Sequence, residues 1–106
     1  MQPGFMGERS LGFAQSAAVD ASTLISSLTF GSAAGAGIPN GTVLLIITPQ
    51  TQAIRWRDDG TAPTAAVGYP LAVGAELRYT AADMQNLRVI SQVAGAVVNV
   101  IAYKAG

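Results

Sequence analysis

The sequence predicts an all-β domain: an antiparallel β-sandwich or jelly-roll-like fold of six to eight short strands. Three observations carry this expectation. Val43–Ile47 is a run of five large aliphatic residues bounded by turn formers, the pattern of a strand covered on both faces. Thr51–Arg57 alternates, with Gln52, Ile54 and Trp56 on one face and Ala53, Arg55 and Arg57 on the other. Turn residues recur at close spacing, and a helical period is almost absent.

Residues 1–10 hold three glycines or prolines and no periodicity, and read as a flexible N-terminal arm ahead of one domain over 11–106. Leu11–Val19 is a strand of small residues, with Phe13, Gln15, Ala17 and Val19 on one face and Gly12, Ala14, Ser16 and Ala18 on the other. Asp20 could cap a short helix over 21–28. The serine and β-branched content of Thr23–Thr29 favours a turn at Asp20 and then a strand over Leu24–Phe30. Gly31–Gly37 is a flexible connection, and Ile38–Gly41 a tight turn.

The strand over Thr42–Thr48 needs cover on both faces. One face is the core, and the other must be hidden by a loop, an end segment or another chain. Pro49-Gln50 is expected to break its ladder. After the alternating Thr51–Arg57 strand, Asp58-Asp59-Gly60 turns and Thr61–Val73 reads as a long proline-bearing loop. Leu77 and Tyr79 alternate with Glu76, Arg78 and Thr80 in the next strand, and Ala81–Asn86 makes a turn. Leu87–Val93 and Val97–Tyr103 are two strands joined by the short hairpin connection Ala94-Gly95-Ala96.

Composition bounds the function. At 106 residues the chain is one domain, and a chain of that size buries roughly 60–70% of its unfolded surface. Half of its residues are apolar and 11% are charged, against about 25% in a typical soluble protein. Little charge on so much surface points to burial against other subunits. The alternative is a monomer with a bland, hydroxyl-rich exterior. Six basic and six acidic residues balance, so no clustered basic face invites nucleic acid. No amphipathic, signal-like or membrane-length apolar stretch is present, which leads to the expectation of a soluble protein folded in the cytoplasm. With no cysteine and no histidine, thiolate sites, disulfides and the commonest general base are all missing, and no cofactor is implied.

The segment from Arg55 to Pro70 concentrates what chemistry there is. Asp58 and Asp59 are adjacent, so in an extended chain they point apart and do not easily flank one bond as an acid/base pair. With Thr61 they offer a few oxygens to calcium, which wants six to eight, and the spacing of a dedicated calcium loop is lacking. Trp56, Tyr69 and Tyr79 are a candidate sugar-stacking platform, although the alternation of Trp56 with Ile54 suggests core. The plainest expectation is that Asp58 or Asp59 pairs with Arg55 or Arg57 and fixes the loop, within one chain or across two. Arg88 and Asn99 face either solvent or a subunit contact.

Residues 55–71 (Arg-Trp-Arg-Asp-Asp-Gly-Thr-Ala-Pro-Thr-Ala-Ala-Val-Gly-Tyr-Pro-Leu) are followed by a Gly74, Leu77, Tyr79 strand, a Leu-Arg-Val-Ile run at 87–90 and a closing Val-Asn-Val at 98–100. Over about residues 42–104 this resembles a family of small virion structural proteins of tailed bacteriophages and prophages. The resemblance implies a cement or decoration protein with no enzymatic activity. Such a protein sits on the capsid exterior as a homo-dimer or trimer and bridges major capsid protein subunits. Arg55, Trp56, Arg57, Asp58, Asp59, Tyr69, Arg88 and Asn99 are then candidate structural or interface residues. The alternative is a carbohydrate- or receptor-binding module of a tail or fibre, with Trp56 or a tyrosine exposed beside polar groups.

Overall fold

The aliphatic run supplies most of the third of the eight strands found among the described residues. The computed structural model describes residues 9–31, 37–80 and 82–104. Its strands are β1 (Arg9–Gln15), β2 (Thr23–Leu24), β3 (Leu44–Gln50), β4 (Ile54–Arg57), β5 (Tyr69–Leu71), β6 (Leu77–Tyr79), β7 (Arg88–Ser91) and β8 (Val97–Lys104). Two four-stranded sheets form, in the orders β1-β8-β3-β6 and β2-β7-β4-β5. All neighbours are antiparallel. First strand pairs with last, second with seventh, third with sixth and fourth with fifth, as when one long hairpin is rolled over itself. That nesting is the jelly roll. The chain is all-β, and the only helical pieces described are 3₁₀ turns at Ile25–Ser27 and Ala82–Asn86.

Register decides which side chains enter the core, because residues opposite one another share a face. Leu45 stands opposite both Ala102 and Tyr79, and Ile47 opposite both Val100 and Leu77. Leu45, Ile47, Val98, Val100 and Ala102 are fully buried. Across the interlayer, Ile54 and Val89 are equally buried, joined by Ile25, Leu87 and Val19. The small residues of β1 have a packing role. A Cβ on Gly12 would lie 3.2 Å from Cβ of Phe30, so glycine lets that buried ring close on the strand.

Five expectations are corrected by the structure. Residues 9 and 10 belong to β1, paired with Lys104 and Tyr103, while residues 1–8 of the expected arm lie outside the described residues. The strand expected over Leu24–Phe30 stops at Leu24. The Ser27 hydroxyl donates to the Leu24 carbonyl (2.6 Å) and tightens the next residues into a 3₁₀ turn. Residues 32–36 of the expected connection also lie outside the described residues.

Pro49 and Gln50 extend β3 instead of ending it, opposite Val98 and Val97. The Pro49 carbonyl accepts from Gly74 N (3.0 Å), so its amide edge points away from β8, where no N–H is needed. Within the expected loop 61–73, Tyr69–Leu71 is β5. Its Pro70 is tolerated because β5 is an edge strand. Finally, β7 and β8 are not a hairpin: each pairs in a different sheet, and 92–96 carry the chain across the sandwich, with Gly95 at φ 105°.

A polar knot holds that crossing. Asp20 Oδ1 accepts from the Ser91 hydroxyl (2.9 Å) and from Gly95 N (2.8 Å). Ser91 Oγ in turn accepts from Ala96 N (3.1 Å), and Thr51 Oγ1 donates to the Gly95 carbonyl (2.6 Å). Asp20 therefore caps a sheet crossing, not a helix. Asp20→Ala is expected to cost about 1–3 kcal/mol, because buried Ser91 loses its acceptor, and Asp20→Asn about half of that or less. Urea unfolding of the two variants checks the difference.

Candidate functional site

Parity along β4 sends alternate side chains to different tasks. Arg55 points outward and bends over the following loop. Its Nε donates to the Ala65 carbonyl (3.1 Å) and its Nη1 to the Gly68 carbonyl (2.9 Å). The loop comes close enough for this only because residue 68 is glycine. A Cβ there would meet Cβ of Arg55 at 3.0 Å and Cβ of Pro63 at 3.1 Å, and φ is +148°. Arg55 thus holds backbone and pairs with neither aspartate.

Arg57, two residues on, shares the outward face. Its Nε and Nη2 donate to Asp59 Oδ1 (3.0 Å) and Oδ2 (2.5 Å), a two-pronged fork, and Thr61 N donates to Oδ1 (3.3 Å). The Arg57 bonds first, then the Thr61 amide, lower the Asp59 pKa from 3.8 to about 2. The same bonds to Asp59 raise that of Arg57. Since the folded value lies below the ordinary one, the pair's contribution is present above pH 3.8 and is lost as pH falls through about 2. The pair is exposed, so its effect is on loop position more than on stability. It also neutralises one member of a like-charged couple, because Arg57 stands directly opposite Arg88 on β7.

Trp56 points inward between two tyrosines. Its ring lies 6.2 Å from Tyr79 at 80°, edge to face, and 5.5 Å from Tyr69 at 36°. This aromatic row runs from the core, where Tyr79 of β6 is buried, to the surface, where Tyr69 of β5 is 67% exposed. The Tyr79 hydroxyl donates to Asp58 Oδ2 (2.5 Å) and ties the two sheets. Asp58 and Asp59 therefore diverge, one toward Tyr79 and one toward Arg57. Among the described residues no group of three or more carboxylates, histidines or cysteines could hold a metal ion.

Burial first, and then the Asp58 bond, push the Tyr79 phenol well above its ordinary value of 10.0. The protonated phenol is the favoured folded form, so its contribution is full below pH 10 and is lost as pH climbs, because the unfolded chain ionises first. Tyr79→Phe is expected to lose about 1–3 kcal/mol at neutral pH. It should also flatten the alkaline decline in urea midpoint that is expected of the parent protein above pH 10.

A groove of about 380 Å³ opens between the end of β4 and the loop, lined by Trp56, Arg57, Asp58, Asp59, Val67, Gly68 and Tyr69. Five of the eight candidate residues read from the sequence converge on it, and Arg55 supports its wall. Arg88 and Asn99 lie elsewhere. Arg88 is half-buried on the outward face of the second sheet. Asn99 lies on the outward face of the first, its Nδ2 donating to Gln50 Oε1 (2.8 Å).

That outward face of β1-β8-β3-β6 is the second feature of interest. Phe13, Ile101 and Ile46 stand opposite one another across three strands, ending at Arg78 on β6. Phe13 is 49% exposed, while Ile46, Ile101 and Tyr103 are half-buried. Arg78 is met by Glu76 at 3.5 Å, and Gln15, Gln50 and Asn99 link their amides along the other side of the row. The need to cover the second face of Val43–Ile47 was legible from the sequence. Phe13 and Ile101 were not singled out, though the parity they share with Ile46 was the available signal. Comparison with family models, with curated proteins and with solved structures finds no match to this chain.

Proposed function

We propose that the chain is a non-enzymatic virion structural protein of a tailed bacteriophage, a cement protein that self-associates and bridges major capsid protein subunits on the capsid exterior. The observation that carries this reading is the Phe13–Ile101–Ile46 row, an aliphatic and aromatic stripe across the longest strands that the described fold leaves partly open. Its flanks are amides, a hydroxyl and a self-neutralised ion pair, so the face carries little net charge to oppose contact with another subunit. A specific contact of this kind buries about 1,200–2,000 Å² in total. Repetition over a shell multiplies modest affinities through avidity. The jelly roll supports the reading at the level of analogy, since capsid and lectin domains both use it and fold alone does not dictate function.

The test is co-sedimentation with phage heads stripped of decoration proteins. Saturable binding that raises the temperature at which heads rupture is the expected result. A protein that stays in the supernatant at all concentrations contradicts the proposal.

A further inference from the structure

We propose that the groove at Trp56, Arg57, Asp59 and Tyr69 is a binding site for a neutral pyranose, alone or as a residue of a polysaccharide. A pyranose presents a patch of C–H bonds on its ring face and hydroxyls around its rim. It calls for an aromatic surface beside donors and acceptors that can serve two adjacent hydroxyls at once. The groove supplies both. Trp56 and Tyr69, 5.5 Å apart and inclined by 36°, make a shallow V, and Tyr69 offers its ring to solvent. The volume of about 380 Å³ falls within the range of about 300–1,000 Å³ typical of small-ligand sites.

The hydrogen-bonding side is already oriented. Arg57 uses two N–H groups on Asp59, leaving three of its five, and Asp59 keeps lone-pair capacity beyond its three donors. A vicinal diol can accept from the guanidinium and donate to the carboxylate. The loop wall is fixed beforehand by the Arg55 bonds to the Ala65 and Gly68 carbonyls. The Val67 N bond to Thr64 Oγ1 (2.9 Å) closes its tip. Little ordering is left for binding to impose.

Charge narrows the class. Asp58 and Asp59 in the lining are balanced by Arg57 beside them and Arg55 in the wall, so the groove holds no surplus charge to reward a phosphate, uronic acid or sialic acid. The divergence of the two carboxylates disfavours a bare cation. A neutral sugar fits what remains. The site shares no side chain with the Phe13–Ile101–Ile46 face, so both can be engaged at once.

The chain's single tryptophan lines the groove, so fluorescence excited where tyrosine does not absorb reports on it. The full-length protein is titrated with the methyl glycosides of galactose, glucose, mannose and N-acetylglucosamine, with a neutral oligosaccharide of each, and with a sialoside. Saturable change with at least one neutral glycoside is expected at about millimolar concentration, tighter with the oligosaccharide if a polymer is the natural source. Tyr69→Ala and Arg57→Lys should each weaken it by about tenfold or more while circular dichroism, melting temperature and head binding stay as in the parent protein. The proposal is overturned by silence from every neutral sugar, by an equal response to the sialoside, or by titrations unchanged in both variants. None of these outcomes bears on capsid binding, which the separate sedimentation assay reads.

Discussion

Ile46→Glu should fold as the parent does and lose self-association. The side chain at 46 points away from the core, and the backbone pairs of β3 with β8 and β6 do not depend on it. In the monomer the new carboxylate would face Arg78, its neighbour on β6, so the stability change should stay within about 1 kcal/mol. At a subunit contact the same carboxylate must be stripped of water, which costs several kcal/mol unless it is paired. Association and head binding should weaken by about a hundredfold or more. Circular dichroism and urea unfolding establish the fold, and co-sedimentation reads the loss.

One residue further along, the outcome reverses. Ile47→Ala should leave any surviving protein able to associate but cost about 2–5 kcal/mol of stability. Ile47 is fully buried between Val100 and Leu77, and removing three carbons leaves a cavity that two hydrogen-bonded sheets cannot close. Small domains hold only about 5–15 kcal/mol, so the loss is a large share of the whole. The urea midpoint at unchanged slope measures it. Opposite phenotypes from adjacent isoleucines would follow directly from strand parity.

That parity is also what made the fold legible. Val43–Ile47 and the alternation through Trp56 placed β3 and β4, and the alternation of Leu77 and Tyr79 with their polar neighbours placed β6. Failures came where tertiary partners override local preference. Pro49 looked like a ladder breaker and Pro70 like part of a loop, yet Pro49 needs no N–H toward β8 and Pro70 sits on an edge strand. The link 94–96 had hairpin length, but length alone does not tell a hairpin from a crossing between sheets. The deciding contacts reach back to Asp20 and Thr51, far away in sequence.

The candidate site was half visible. Arg57–Asp59 is one of the four pairings the residues 55–59 allow, and their spacing of two on an extended chain puts them on one side. The Asp58–Tyr79 bond was not foreseeable, because the two residues meet only once the sheets are stacked. Nor was the shape of the groove, which depends on Arg55 reaching carbonyls ten and thirteen residues on.

Sedimentation equilibrium of the purified parent chain is the sharpest test of the proposed self-association, which would cover the apolar row on the outward sheet face before any capsid is present. A dimer or trimer that dissociates on dilution is expected, with Ile46→Glu monomeric throughout. A parent chain that is strictly monomeric across the concentration range, with Ile46→Glu indistinguishable from it, would rule out self-association through this face.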